Sequence, residues 1–209
     1  WIEGRPQEGG RDVVVRQTPD GRITDVIPRE LNARTRVHEY GGGAVAVRGA
    51  TAVTSNFADQ RLYRVEGEAA PIAITAEPAT ASAHRYADGI IAPDGATLVC
   101  VRERHEASGV VNEIVSLPLD GSASPRVLVS GHDFFSTPRL SPDGRALAWL
   151  AWDHPNMPWD GSELFVAELR RDGALADARR VAGAREESIF QPQWSPAGTL
   201  HFVSDRTGW

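Results

Sequence analysis

Short apolar runs broken by Pro, Asp and Gly set the rhythm of this chain. Three segments share one pattern: Ile91-Ala92-Pro93-Asp94-Gly95-Ala96-Thr97-Leu98-Val99, Leu140-Ser141-Pro142-Asp143-Gly144-Arg145-Ala146-Leu147-Ala148-Trp149 and Trp194-Ser195-Pro196-Ala197-Gly198-Thr199-Leu200-His201-Phe202. The second lies 49 residues after the first, and the third 54 after the second. In each, Pro presets φ at the second turn position and Gly accepts the positive φ that completes the bend. An apolar strand enters the turn and an alternating one leaves it, which predicts a hairpin. Alternation puts Leu147, Trp149 and Ala151 on one face of the second strand and Ala146, Ala148 and Leu150 on the other. Both faces are apolar or small, as a strand sandwiched between neighbouring sheets requires. The Pro-Gly punctuation argues against buried helix.

Each hairpin is followed by two more predicted strands. Glu163–Leu169 and Arg179–Ala182 flank a turn at Arg171-Asp172-Gly173, and Glu113–Leu119 and Arg126–Val129 flank one at Asp120-Gly121. A divergent copy reads Ala44–Val47, Thr51–Ser55, Arg61–Val65 and Pro71–Thr75. Four strands per unit and a period near 50 residues predict an all-β fold, a β-propeller. The expected blades are 37–76, 84–130 and 132–183. Before them, 1–30 reads as the last two strands of a blade, and after them 187–209 reads as the first two of another. The expectation is therefore a partial propeller, three whole blades between two halves, against about four to eight in a closed ring. A chain that starts at Trp1 without a leader pattern reads as a piece of a longer one. Open sheet edges predict self-association into oligomers, unless the halves pair and close a four-bladed ring.

Composition narrows the function classes. With 209 residues, 41% hydrophobic and 24% charged, the chain has the material for a sizeable core, and disorder is excluded. A net charge of -6 argues against nucleic acid as partner. No run of about 18 apolar residues is present to span a membrane as a helix. The single cysteine, Cys100, excludes an internal disulfide and a Cys-based zinc site, and fits a cytoplasmic setting. Six histidines carry no His-x-His or His-Glu-x-x-His spacing, so no metal is expected. Gly41-Gly42-Gly43 lacks the Lys-Ser/Thr of a phosphate loop and reads instead as a tight approach to the propeller axis.

Two long strings are more specific: Trp152-Asp153-His154-Pro155-Asn156-Met157-Pro158-Trp159-Asp160-Gly161, and Glu187-Ser188-Ile189-Phe190-Gln191-Pro192-Gln193-Trp194-Ser195-Pro196 followed by Ser204-Asp205-Arg206-Thr207-Gly208-Trp209. With Val37-His38-Glu39-Tyr40-Gly41-Gly42-Gly43, they resemble the N-terminal propeller of the prolyl oligopeptidase family of serine peptidases, in its acylaminoacyl-peptidase or dipeptidyl-aminopeptidase-like branch. The resemblance implies a propeller that gates oligopeptide substrate for a C-terminal α/β-hydrolase domain, with no cofactor. No Gly-x-Ser-x-Gly elbow occurs in the chain, so no catalytic residue is assigned to it.

Five residues stand out as substrate-proximal candidates. Glu186 and Glu187 form a carboxylate pair that could receive a substrate's amino group by charge-assisted hydrogen bonds, as an acidic pair does in a relative; the alternative is a solvated charged loop. Asp153, His154 and Trp159 lie in a Pro-stiffened loop that either lines the chamber or only packs on itself through Trp152 and Trp159. An ion pair within the blade is expected at Asp205-Arg206. The runs Arg102-Glu103-Arg104-His105-Glu106 and Arg170-Arg171-Asp172 read as solvated hairpin tips. Two rival functions remain open: a non-catalytic protein-binding or scaffold propeller, and a hydrolase with a metal on the propeller axis.

Overall fold

A computed structural model describes residues 1–208. Trp209, the last residue of the second string, lies outside the described residues. The chain meanders through five antiparallel sheets, each built from neighbours in sequence. The first holds β1 (Ile2–Arg5), β2 (Arg11–Gln17) and β3 (Ile23–Asp25). The second holds β4 (Val45–Arg48), β5 (Thr51–Ser55), β6 (Leu62–Glu66) and β7 (Ile72–Ala73). The third holds β8 (His84–Ile91), β9 (Thr97–Glu106), β10 (Gly109–Pro118) and β11 (Arg126–Val129). The fourth holds β12 (Phe134–Leu140), β13 (Ala146–Trp152), β14 (Glu163–Leu169) and β15 (Leu175–Gly183). β16 (Ile189–Trp194) and β17 (Leu200–Ser204) form the fifth. This is the all-β, partial-propeller architecture, with no helix long and apolar enough to cross a membrane among the described residues.

One strand was not foreseen. The first sheet has three strands rather than two, because Ile2-Glu3-Gly4-Arg5 pairs with Arg11–Val14 across a short 3-10 turn at Pro6–Glu8. Its single apolar residue gave no alternation to read.

The core is divided into layers between successive sheets. Val13, Val15 and Ile27 meet Val65 between the first and second; Ala46, Val53 and Leu62 meet Leu98, Cys100 and Val115 between the second and third. Val99, Val101 and Ile114 meet Leu147, Trp149 and Ala151 between the third and fourth. Ala148, Leu150 and Leu164 meet Ile189 between the fourth and fifth. β13 thus serves two layers at once, its alternate residues facing opposite ways as the period of two demands. Buried apolar area of this kind contributes about 25 cal/mol per Å².

The Pro-Gly turns are closed by side chains a few residues away. Asp94 Oδ1 accepts from the amides of Ala96 and Thr97 at 2.8 and 3.0 Å. Asp143 Oδ1 accepts from the Ser141 hydroxyl and the Arg145 amide at 2.6 and 3.1 Å. Where Ala197 replaces Asp, Ser195 Oγ alone accepts from the Thr199 amide at 3.1 Å.

A second repeat sits in the innermost strands. Register breaks between Ala87 and Ile90, Ser136 and Arg139, and Phe190 and Gln193 mark a bulge in β8, β12 and β16. At each, a non-glycine residue takes positive φ: Asp88 at 54°, Thr137 at 53° and Gln191 at 50°. Such conformations are strained for L-residues and persist where neighbours hold them.

The run Arg102-Glu103-Arg104-His105-Glu106 is not a solvated tip. Arg102, Glu103 and Glu113 are 8%, 3% and 4% exposed. The β9–β10 register sets Arg102 beside Glu113, whose Oε2 accepts from Arg102 Nη2 and Nε at 2.6 and 3.0 Å and from Arg104 Nε at 3.0 Å. Opposite charges facing one another across strands can be buried together, which one-dimensional patterning does not reveal. Glu106 and the Arg170-Arg171-Asp172 turn are exposed as expected.

Candidate functional site

The bulges of β8 and β12, the start of β16 and the β3–β4 and β13–β14 loops converge on one cavity of about 430 Å³. Asp88 sits at the centre of its frame. The Gly43 amide donates to Asp88 Oδ1 at 2.6 Å and the Thr137 amide donates to Oδ2 at 3.0 Å, so one carboxylate ties the β3–β4 loop and β12 to β8. A Cβ on Gly43 would stand 2.8 Å from Asp88 Oδ1, so any larger residue would have to displace the carboxylate from this close approach.

His38 and Glu39 hold consecutive positive φ values of 55° and 65°. The His38 amide donates to Glu103 Oε2 at 2.7 Å, which fixes this turn against the third sheet. The His38 ring stands edge-on to Phe134 and Trp152 at 5.2 and 5.6 Å, and those two stack on each other at 5.4 Å. Burial pushes the imidazole pKa below its ordinary value despite the nearby charges of Glu103 and Asp88, so the ring is neutral at pH 7. Its Nε2 is buried, with the Asn112 side chain nearby. Tyr40, 61% exposed, forms the adjacent wall, and burial first, then Asp88 and Glu103, pushes its phenol pKa up.

Beside the cavity, Glu39, Glu103 and His105 form the one group among the described residues with metal-ligand spacing. Arg85 Nη1 lies 2.6 Å from Glu39 Oε1 and 3.1 Å from Glu103 Oε1. The guanidinium already supplies the positive charge a metal would bring.

The sequence-predicted residues fall at this same end of the sheets but divide between two surroundings. Trp159 lines the central cavity and is 66% exposed, so it does not pin its own loop; Trp152, just before the loop, is buried against Phe134 and His38. Asp153 and His154 lie to the side, in a reciprocal arrangement: His132 Nδ1 pairs with Asp153 Oδ2 at 2.9 Å, and His154 Nδ1 with Asp133 Oδ2 at 2.8 Å. Asp153 Oδ1 also accepts from the Asp133 amide at 2.7 Å, closing the mouth of the β12–β13 hairpin. The loop is tied to the approach to β16, where Asn156 Nδ2 donates to the Arg185 carbonyl at 2.7 Å and Ser188 Oγ to the Pro158 carbonyl at 2.8 Å.

Glu187 is already used. It accepts from the Ser204 hydroxyl at 2.6 Å and pairs with Arg206 Nη2 at 2.8 Å; these contacts hold its carboxyl below the usual range. The ion pair expected at Asp205-Arg206 therefore runs from Arg206 to Glu187, while Asp205 accepts from the Ser188 amide at 2.9 Å. Glu186 is exposed.

His38, Tyr40 and Asp88 were not among the predicted site residues. The signal for Asp88 was the Asp88-Gly89 step interrupting an apolar inner strand, a bulge signature. No Ser, Thr or Cys side chain hydrogen-bonds a histidine among the described residues. Cys100 is fully buried, and burial pushes its thiol up to about 12, so it is inert.

No protein-family model matches the chain, and no curated protein matches it. Solved structures do. A puromycin-hydrolyzing peptidase from Mycobacterium tuberculosis is 40% identical over 100% of this chain, with a TM-score of 0.92. That similarity bears out the resemblance to a peptidase read from the sequence strings. A puromycin hydrolase mutant complexed with PGG is 39% identical over the same span, with a TM-score of 0.92. In both cases the chain spans 34% of the relative's length. A gluconolactonase from Xanthomonas campestris, at 18% identity and a TM-score of 0.58 over 92% of this chain and 68% of its own, shares the fold alone. In this propeller the chemistry-bearing groups cluster where the inner strands begin, and the Pro-Gly turns close the opposite end.

Proposed function

We propose that this propeller gates and orients oligopeptide substrate for a serine hydrolase whose α/β-hydrolase catalytic domain belongs to a longer polypeptide. The observation that carries the reading is 40% identity along the whole chain with a peptidase. Another domain transfers the acyl group from the peptide bond to Ser and then to water, and this one shapes access. The physical role is steric and dielectric: an aromatic-walled cavity where sheets converge admits an extended segment, excludes a folded protein and displaces water. Peptide substrate and hydrolase domain are its partners; no cofactor is required, and the cytoplasm is its setting. The test is hydrolysis of puromycin and of a short peptide by the longer reading frame that carries this segment, beside the 209-residue chain alone. Activity is expected only in the longer protein and only with an intact Gly-x-Ser-x-Gly serine. Hydrolysis by the chain alone, or a longer protein without elbow or activity, overturns the reading and leaves a binding propeller.

A further inference from the structure

The central cavity carries more chemistry than a gate requires. Asp88 is the one charged side chain lining it, with His38 held neutral. Of its roughly four acceptor positions, the Gly43 and Thr137 amides occupy two. No Arg or His pairs with it among the described residues. Arg139 senses its charge from farther off and donates instead to the Pro138 carbonyl. Around this carboxylate stand Tyr40, Trp152, Trp159 and Phe190. Aromatic faces attract a cation through their quadrupole, and an unpaired carboxylate in an apolar cavity gains most from a partner that brings both charge and N–H donors. A bare metal ion would find no second charged ligand on the cavity wall.

We infer that this cavity binds a primary ammonium attached to an apolar group, with Asp88 as counter-ion and Tyr40, Trp152 and Trp159 as π walls. The contrast with Glu187, whose charge Arg206 already meets, moves amine recognition away from the Glu186-Glu187 pair. The binding itself stands on the cavity. Only the source of the amine, a peptide amino terminus, rests on the peptidase reading.

The test is calorimetric titration of the protein with phenethylammonium and with its neutral isostere phenethyl alcohol at neutral pH. The amine is expected to bind at least about ten-fold tighter. Asp88→Asn erases that preference, Trp159→Ala weakens both compounds several-fold, and Glu187→Gln leaves the preference intact. Equal affinity for amine and alcohol overturns the inference, as does a preference that survives Asp88→Asn or disappears with Glu187→Gln. Because Asp88 also holds two amides, Asp88→Asn is read only if its circular dichroism matches the parent; otherwise the amine–alcohol comparison and Trp159→Ala decide. Amine binding by a longer protein that cleaves no peptide keeps this inference and removes the peptidase reading. Cleavage without amine preference does the reverse.

Discussion

The two ends of the sheets use aspartate in opposite ways. At the turn end, Asp94 bonds to amides two and three residues away. At the cavity end, Asp88 bonds to amides 45 and 49 residues away, one in the loop that leads to the second sheet and one in the fourth sheet. A local bond needs only the turn to form, and closing it costs little chain entropy. A bond between sheets exists only after the sheets have packed, so it reports on the tertiary structure and stabilises it. The turn end is repetitive because each hairpin solves the same local problem. The cavity end is singular because each sheet contributes a different side chain to a shared space.

Substitutions can break or sharpen that contrast. The largest effect is expected at the buried cross-strand pair leading to the cavity end. Glu113→Ala leaves Arg102 buried without its partner and should cost about 3–5 kcal/mol in urea unfolding; a loss under about 1 kcal/mol would show the pair to be solvated. Asp88→Ala strips two amides of their acceptor and should cost about 2–4 kcal/mol, whereas Asp94→Ala, on an exposed turn, should stay within about 1 kcal/mol. Equal losses for those two would erase the distinction between the ends. Gly43→Ala drives a Cβ against the Asp88 carboxylate and should cost about 1–3 kcal/mol, with the third and second sheets losing amide-exchange protection first.

The smallest effect expected is on pH dependence. Burial is the largest influence that holds both His38 and His84 below the ordinary histidine value. Below about pH 6.5 the unfolded chain then binds more protons than the folded one, so stability present above that pH falls as the pH drops through the window. Melting temperature should decline from pH 6.5 toward 5, and His38→Gln should flatten part of the slope. A slope unchanged by that substitution would locate the titration elsewhere.

How much could be read in one dimension differs between these ends. Pro142-Asp143-Gly144 announced its own hairpin, and alternation assigned Leu147 and Ala148 to opposite faces before any packing was known. Glu186-Glu187 looked like an open acidic pair, but folding brings Arg206 onto Glu187. Arg102 and Glu103 looked solvated because charge runs usually are, but β10 supplied Glu113 as partner for Arg102 and β8 supplied Arg85 for Glu103, so both could be buried. His38 and Tyr40 sit two residues apart, but Asp88 and Trp159 lie far from them and from each other along the chain, and no local pattern marks the four positions as one wall.

The sequence by itself determined the all-β class, the repeat, the strand faces and the turns, since each depends on φ preferences and side-chain alternation within a few residues. Only the tertiary structure decided which charges are paired, which aromatic rings stay open and where the cavity lies. Those outcomes depend on contacts between residues on different strands and loops, 11 positions apart for Arg102 and Glu113 and 65 for His38 and Glu103, and Coulomb attraction and desolvation act through space, not along the chain.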